Sequence, residues 1–344
     1  MKIVFSILAT TLLMMSACDK VTVMPPKQIT MTTEKENVYI YIAGAGTVTI
    51  DWGDNSDIIT HTLQEYSNYL SYSEEHIFRY SYSDASSRTI TITGENITRL
   101  ECPDNKLTSL DVSKNTELEV LLCTHNQLTS LDVSKNTALM YLFCYYNQLT
   151  SLNVSKALIN LDCAWNQITS LDVSKNPKLA NLNCRNNKLT NLDLSKNKEL
   201  MVLECVFNQL TSLNVSQNEK LKELFCSQNQ LMSLDISKST ELKNLVCGGN
   251  RITNLDVSNN TALWNLSCWA NQLKSLEVSN NTALYNLDCS ANHLTNFALN
   301  ALFTSLHSFT IEKAELKLIY IGANQGTDDC DRSIAEKKGW TIND

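Results

Sequence analysis

The sequence predicts a mainly β chain whose body is a solenoid of about ten 21-residue coils, preceded by a small β-sandwich and closed by an α/β cap. Three observations carry this. Cysteines stand at 102, 123, 144, 163, 184, 205, 226, 247, 268 and 289, every step being 21 residues except the 19 from Cys144 to Cys163. Asparagine follows three places after each one, from Asn105 to Asn292, without exception. Around them the frame L-x-x-L-x-C-x-x-N-x-L-x-x-L-D-V-S-x-N recurs over residues 97–296.

One unit, Leu118 to Asn136, shows why this spacing makes a coil. Leu121 and Cys123 alternate with Leu122, the period of a strand with one face buried. Leu128, Leu131 and Val133 bring a return arc back over the same core. A single unit cannot enclose its apolar face, so stacking buries it. Twenty-one residues leave little room for a helix outside, and a short strand or extended turn is expected at L-D-V. Ten coils at roughly 4.8 Å give a stack about 45 Å long. The asparagine amide donates and accepts at once and suits the backbone groups left over at a stacked turn. Ser and Asn of the D-V-S-x-N arc suit turns, with Lys and Asp as a solvated face. The cysteines read as free thiols filling a core column. Disulfides are disfavoured by parallel Cβ vectors, and metal by the lack of C-x-x-C. The frame resembles the leucine-rich repeat, with cysteine where its third leucine usually sits.

The 344 residues suggest two or three domains, and the net charge of −8 with a pI near 5.2 argues against nucleic acid or an anionic membrane surface as partner. Residues 1–18 read as an export signal: Lys2, an apolar run Ile3–Met15 too short to span a bilayer as a helix, then Ser16-Ala17-Cys18. Met15-Ser16-Ala17-Cys18 resembles the bacterial lipoprotein signal, although Met15 departs from the usual leucine. That resemblance implies that Cys18 becomes an acylated anchor; an ordinary signal peptide with an incidental cysteine is the alternative. Residues 19–27, with Pro25-Pro26, read as an extended tether.

Residues 28–96 change composition, and Val38–Ile42, Thr47–Asp51, Glu75–Tyr80 and Arg88–Thr93 alternate as strands. Thr47-Val-Thr-Ile-Asp-Trp-Gly-Asp with the later Thr89-Ile-Thr-Ile-Thr resembles the polycystic-kidney-disease (PKD) type of immunoglobulin-like β-sandwich, over about seventy residues. The expected His-Thr-Tyr-like strand is degraded to His76-Ile-Phe-Arg-Tyr. Asp51, Asp54 and Asp57 lack the spacing of a calcium loop and read as turn formers. The unit is expected to cover the first coil.

Within the repeats, the outward residues of each L-x-x-L-x-C strand line a concave sheet. Its middle column runs Glu101, Leu122, Phe143, Asp162, Asn183, Glu204, Phe225, Val246, Ser267, Asp288. Val120, Leu122, Tyr141, Phe143 and Tyr145, with Tyr146 and Trp165 at the strand end, form an aromatic region, and Phe225 stands further along. Asn160, Asn181, Asn183, Arg185, Asn244, Asn265 and Asn286 give an amide-rich strip. Aromatic side chains where water is expected suggest a contact surface, for a protein or for the faces and hydroxyls of a glycan. The bland alternative is packing under a neighbouring loop or the N-terminal unit. The short step from Cys144 to Cys163 is expected to tighten the outer turn and leave the coil unbroken.

From residue 297 the repeat is expected to stop. Phe297–Leu306 reads as a short amphipathic helix, Leu316–Ile321 as a strand, and Asp329 as the cap of a helix through Lys338 that Gly339 ends. Residues 297–344 thus form a C-terminal cap, in which Cys330 lacks an obvious partner. His61, His76, His125, His293 and His307 sit in no triad or metal-ligand pattern, and no phosphate loop appears. No catalytic residue, metal or cofactor is assigned. The chain resembles bacterial cell-surface leucine-rich repeat lipoproteins of internalin-like design. The resemblance implies an exported, lipid-anchored module, outward-facing on an outer membrane, that binds a host or neighbouring-cell protein through its concave face. A glycan-capturing lipoprotein of an uptake system and an envelope spacer are the rivals.

Overall fold

The structure, a computed structural model, describes residues 27–63, 74–308 and 317–344. Cys18 and the expected signal and tether, up to residue 26, lie outside the described residues.

Five strands come first: β1 (Gln28–Thr33), β2 (Asn37–Asp51), β3 (Ile59–Leu63), β4 (Ile77–Ser81) and β5 (Arg88–Glu101). The two strands expected at Val38–Ile42 and Thr47–Asp51 are halves of β2, which bends where its register against β5 shifts between Ala43 and Val48. Gly44 makes the bend possible: a Cβ there would lie 1.9 Å from the Asn96 carbonyl oxygen. The first half of β2 pairs with β4 and the second with β3. The N-terminal half of β5 pairs with β1, which pairs in turn with β6 (Ser109–Asp111) on the outer arc. The last residues of β5, Arg99–Glu101, pair in parallel with β7 (Val120–Leu122) on the inner arc. The N-terminal strands therefore continue both walls of the solenoid, and the expected boundary between residues 96 and 97 falls inside β5. Ile29, Met31, Ile40, Ile42, Ile50, Ile90 and Ile92 fill the space between. Trp52 is buried there, stacked on Tyr80 at 4.6 Å, and its carbonyl accepts from the Tyr82 hydroxyl at 2.7 Å. Asp51 and Asp54 accept from Gly53 and Ser56 backbone N–H groups as turn formers.

Along the inner wall, β7 is followed in parallel register by β9 (Tyr141–Phe143), β11 (Asn160–Asp162), β12 (Asn181–Asn183), β13 (Val202–Glu204), β14 (Glu223–Phe225), β15 (Asn244–Val246), β16 (Asn265–Ser267) and β17 (Asn286–Asp288). On the outer wall, β8 (Ser130–Asp132) and β10 (Ser151–Asn153) pair in parallel. The expected outer strand stops there. In later coils L-D-V-S is a turn in which Asp172, Asp193, Asp235 and Asp256 each accept from the N–H of the serine two places on. The aspartates read as a solvated face thus form the turn itself, and those bonds hold their carboxyls below the usual range.

The ten repeat cysteines are fully buried and unbridged. From Asn126 on, the asparagines of C-x-x-N tie successive coils together, while Asn105 ties the first coil to Tyr39 of β2: Asn126 accepts from the Asn105 and Leu107 N–H groups and donates to the Cys102, Cys123 and Thr124 carbonyls. A second buried amide row closes the outer turn, Asn136 donating to the Val112 and Asn115 carbonyls at 2.8 and 2.7 Å. In the short coil Ser155 takes that slot, and Asn176 donates to its carbonyl. The residues lost there are turn residues, and β9 and β11 stay paired.

The helix α1 (Asn296–Ser305) starts where Ala298 N–H donates to the Thr295 hydroxyl, and it buries Leu299, Leu302 and Phe303. The repeat does not stop here, contrary to expectation. In β18 (Lys317–Tyr320), Tyr320 pairs with Asp288, which puts Ile321 in the place of the next cysteine. Asn324 follows three residues later and repeats the asparagine bonds, donating to the Cys289 and Ile321 carbonyls and accepting from Asn292 and Leu294 N–H groups. The solenoid thus has about eleven coils, the last interrupted by α1. The expected helix from Asp329 shrinks to α2 (Ser333–Glu336), with Asp331 accepting from Ser333 N–H. Trp340–Asn343 forms β19, a final parallel strand.

Candidate functional site

The residue before each repeat asparagine carries a left-handed backbone: φ is 55° at His125, 54° at Tyr146, Trp165, Asn186 and Phe207, 56° at Gln228, 64° at Gly249 and 47° at Ala270. The asparagine turn imposes this, since its side chain must reach back to the preceding coil. Left-handed backbone suits Gly and Asn and costs other residues about 1–2 kcal/mol. Three aromatic side chains and a histidine nevertheless occupy the position. His125 stacks on Tyr146 at 4.6 Å and 26°, and Tyr146 on Trp165 at 5.1 Å and 13°. Tyr145 meets His125 edge-on at 5.3 Å. Tyr146 and Trp165 are 42% exposed, and Phe207, two coils beyond Trp165, is 53% exposed.

This edge also differs in charge from the rest. In nine successive turns, from Thr124-His-Asn-Gln to Ser290-Ala-Asn-His, there is no Asp or Glu, although the chain carries −8. Gln127, Gln148, Gln167 and Gln209 line it, with Lys188 and Arg251.

The concave sheet is less open than expected. Leu122, Tyr141, Phe143, Tyr145 and Phe225 are half-buried. Val120 is 6% exposed, which corrects its expected place in the contact surface: it sits in the sheet between Arg99 and Tyr141. In the amide strip, Asn265 donates to Asn244 at 2.6 Å and Asn286 to Asn265 at 2.5 Å, so these groups satisfy one another. Burial raises the Asp162 and Glu204 carboxyls despite Asn183 at 3.1 Å from one and Arg185 at 3.3 Å from the other. Trp269 lies over Gly248, where a Cβ would come within 2.3 Å of its Nε1.

Of the residues singled out from sequence, Tyr145, Tyr146 and Trp165 come together, with Phe143 on the adjoining strand; Phe225 stands apart. His125, which sits in no triad or metal-ligand pattern in the sequence, is a rung of the stack, and Phe207 was not singled out. The signal lay in the column two places after each cysteine, where Asn186 and Gly249 betray the left-handed turn. Among the described residues no three His, Cys, Asp or Glu side chains gather as a metal site, and no helix is long and apolar enough to cross a membrane.

No protein-family model and no curated protein matches the chain. Solved structures do. The functional domain of InlJ from Listeria monocytogenes, described as including a cysteine ladder, is 36% identical with a TM-score of 0.62, over 72% of this chain and 53% of that one. This chain thus spans about half the length of that domain. An internalin, InlF, from Listeria monocytogenes is 19% identical with a TM-score of 0.50, over 72% and 86%. The leucine-rich repeat domain of FLRT2, from an octameric complex with Latrophilin 3 and Unc5D, is 20% identical with a TM-score of 0.53, over 72% and 89%. The latter two share the fold, a leucine-rich repeat solenoid.

Proposed function

We propose that this leucine-rich repeat solenoid is a non-enzymatic binding module that captures a protein partner along its aromatic asparagine-turn edge and the adjoining concave strands. The observation that carries the reading is the exposed stack of His125, Tyr146 and Trp165, built on backbone that disfavours such side chains. Strain of this kind persists where surrounding structure holds it and often marks a working surface. Half-buried Phe143 and Tyr145 extend the stack into a patch of the aromatic kind that interface centres favour. The module is held to a bacterial envelope, outward-facing, by acylation at Cys18, behind a PKD-like N-terminal unit. Loss of capture from a host or neighbouring-cell lysate by the Tyr146→Ala, Trp165→Ala pair, with melting temperature kept, is the expected result; undiminished capture overturns the assignment. Radiolabelled palmitate incorporation abolished by Cys18→Ala tests the anchor.

A second reading, glycan capture, is favoured by the exposed glutamines beside the rings, since amides and aromatic faces also suit sugars. Signal on a glycan array without protein capture would select it.

A further inference from the structure

The aromatic stack stops one coil short of completion. Trp165, Asn186 and Phe207 share φ of 54° and occupy the same place in successive coils, so their side chains leave the turn in parallel directions. Coil spacing of roughly 4.8 Å puts Trp165 and Phe207 about 10 Å apart, with only Asn186 between. A flat ring placed midway lies about 5 Å from each neighbour. Those are the separations the existing rungs keep, 4.6 Å between His125 and Tyr146 and 5.1 Å between Tyr146 and Trp165.

Three further facts bear on the gap. Trp165 and Phe207, its two walls, are both strongly exposed. Asn186 at its floor is part-exposed and has a shorter side chain than either wall. Around it, Gln167, Lys188 and Gln209 carry no negative charge; Arg185 is paired with Glu204.

Resting on the reading of this edge as the binding edge, we propose that the gap over Asn186 receives one aromatic side chain from an extended segment of the protein partner. The incoming ring stacks between Trp165 and Phe207 as the missing rung, over the short Asn186 side chain. Each offset-stacked aromatic pair tightens binding by about two- to tenfold beyond burial. The residues flanking that aromatic side chain are neutral or acidic, because the nine turns contain no Asp or Glu and Lys188, whose ammonium donates to Gln167 at 3.0 Å, keeps its charge at the rim. A sugar ring is the competing occupant. It is thicker than an aromatic ring and lacks the flat faces that a 5 Å ladder repeats.

The test is to pan a phage-displayed random peptide library on the whole chain, then compare selected peptides on variants. Asn186→Phe supplies the missing rung from within and closes the gap; Phe207→Ala removes one wall; Asn186→Gly leaves the gap open. Selected peptides should carry an aromatic residue and bind Asn186→Phe and Phe207→Ala about tenfold or more weakly. Asn186→Gly should retain binding within a few fold. Peptides that bind all variants alike, yet are lost with Tyr146→Ala plus Trp165→Ala, overturn the gap while leaving the binding edge in place. No peptide selected, or signal only on a glycan array, overturns the class of partner. Melting temperatures separate any of these from a failure to fold.

Discussion

The indole of Trp165 lies on the phenol ring of Tyr146, centroids 5.1 Å apart and planes 13° from parallel, with both backbones left-handed. Two opposed energies meet in this pair. Stacking contributes about 0.5–1.5 kcal/mol per pair, and left-handed backbone costs about 1–2 kcal/mol for residues other than Gly and Asn. Trp165→Asn removes both. Its unfolding free energy in urea should stay within about 1 kcal/mol of the parent while partner capture collapses. A loss of several kcal/mol would assign the ring to the fold instead.

Asn208 tests the amide ladder in the middle of the stack. It accepts from Leu189 N–H at 3.0 Å and donates to the Cys184 and Cys205 carbonyls at 3.0 and 3.1 Å. Asn208→Ala strands these buried groups and should cost about 2–4 kcal/mol by chemical denaturation. Asn208→Asp should cost more, since it keeps an acceptor, loses the donor and sets a charge against two carbonyls.

The thiol row makes stability fall steeply in alkali. Burial raises these thiols above their ordinary 9.0, with Cys123, Cys205 and Cys247 pushed up to about 12. As pH climbs past about 9 the unfolded chain loses thiol protons that the folded chain retains, so stability present below that pH is lost above it. Each thiol then removes about 1.4 kcal/mol per pH unit. Ten together offset a typical domain's stability within about one unit above pH 9. Circular dichroism against pH should show one abrupt transition, moved upward by replacing several of the cysteines with alanine. A thiol reagent near neutral pH should label Cys330, which is part-exposed, ahead of the buried ten.

Gly248 is required by its neighbour's side chain and not by its own backbone, since only Gly249 beside it has positive φ. Gly248→Ala must displace the Trp269 ring, whose Nε1 stands 2.3 Å from the added methyl position. Tryptophan emission should shift red, at a stability cost of about 1–3 kcal/mol. An unchanged spectrum would mean that the ring already has another resting place.

Cysteine and asparagine at fixed separation made the stack legible, because each coil must present the same atoms to its neighbours. The eleventh coil escaped because Ile321 stands where cysteine was sought, and because α1 stretches the step from Asn292 to Asn324. The bent β2 was read as two strands, since glycines at 44 and 46 look like a turn until Asn96 is seen against Gly44. Tyr146 and Trp165 were legible as outlying aromatic residues. Their stacking with His125 was not, because it depends on a backbone sign that residue type at those positions argues against.

Strands β2 and β5 cross from one wall of the solenoid to the other. Tension arriving through the N-terminus therefore cannot peel a single sheet rung by rung. It enters through β1 and loads the β1–β5 and β1–β6 ladders together, and β5 passes the load on to the inner wall.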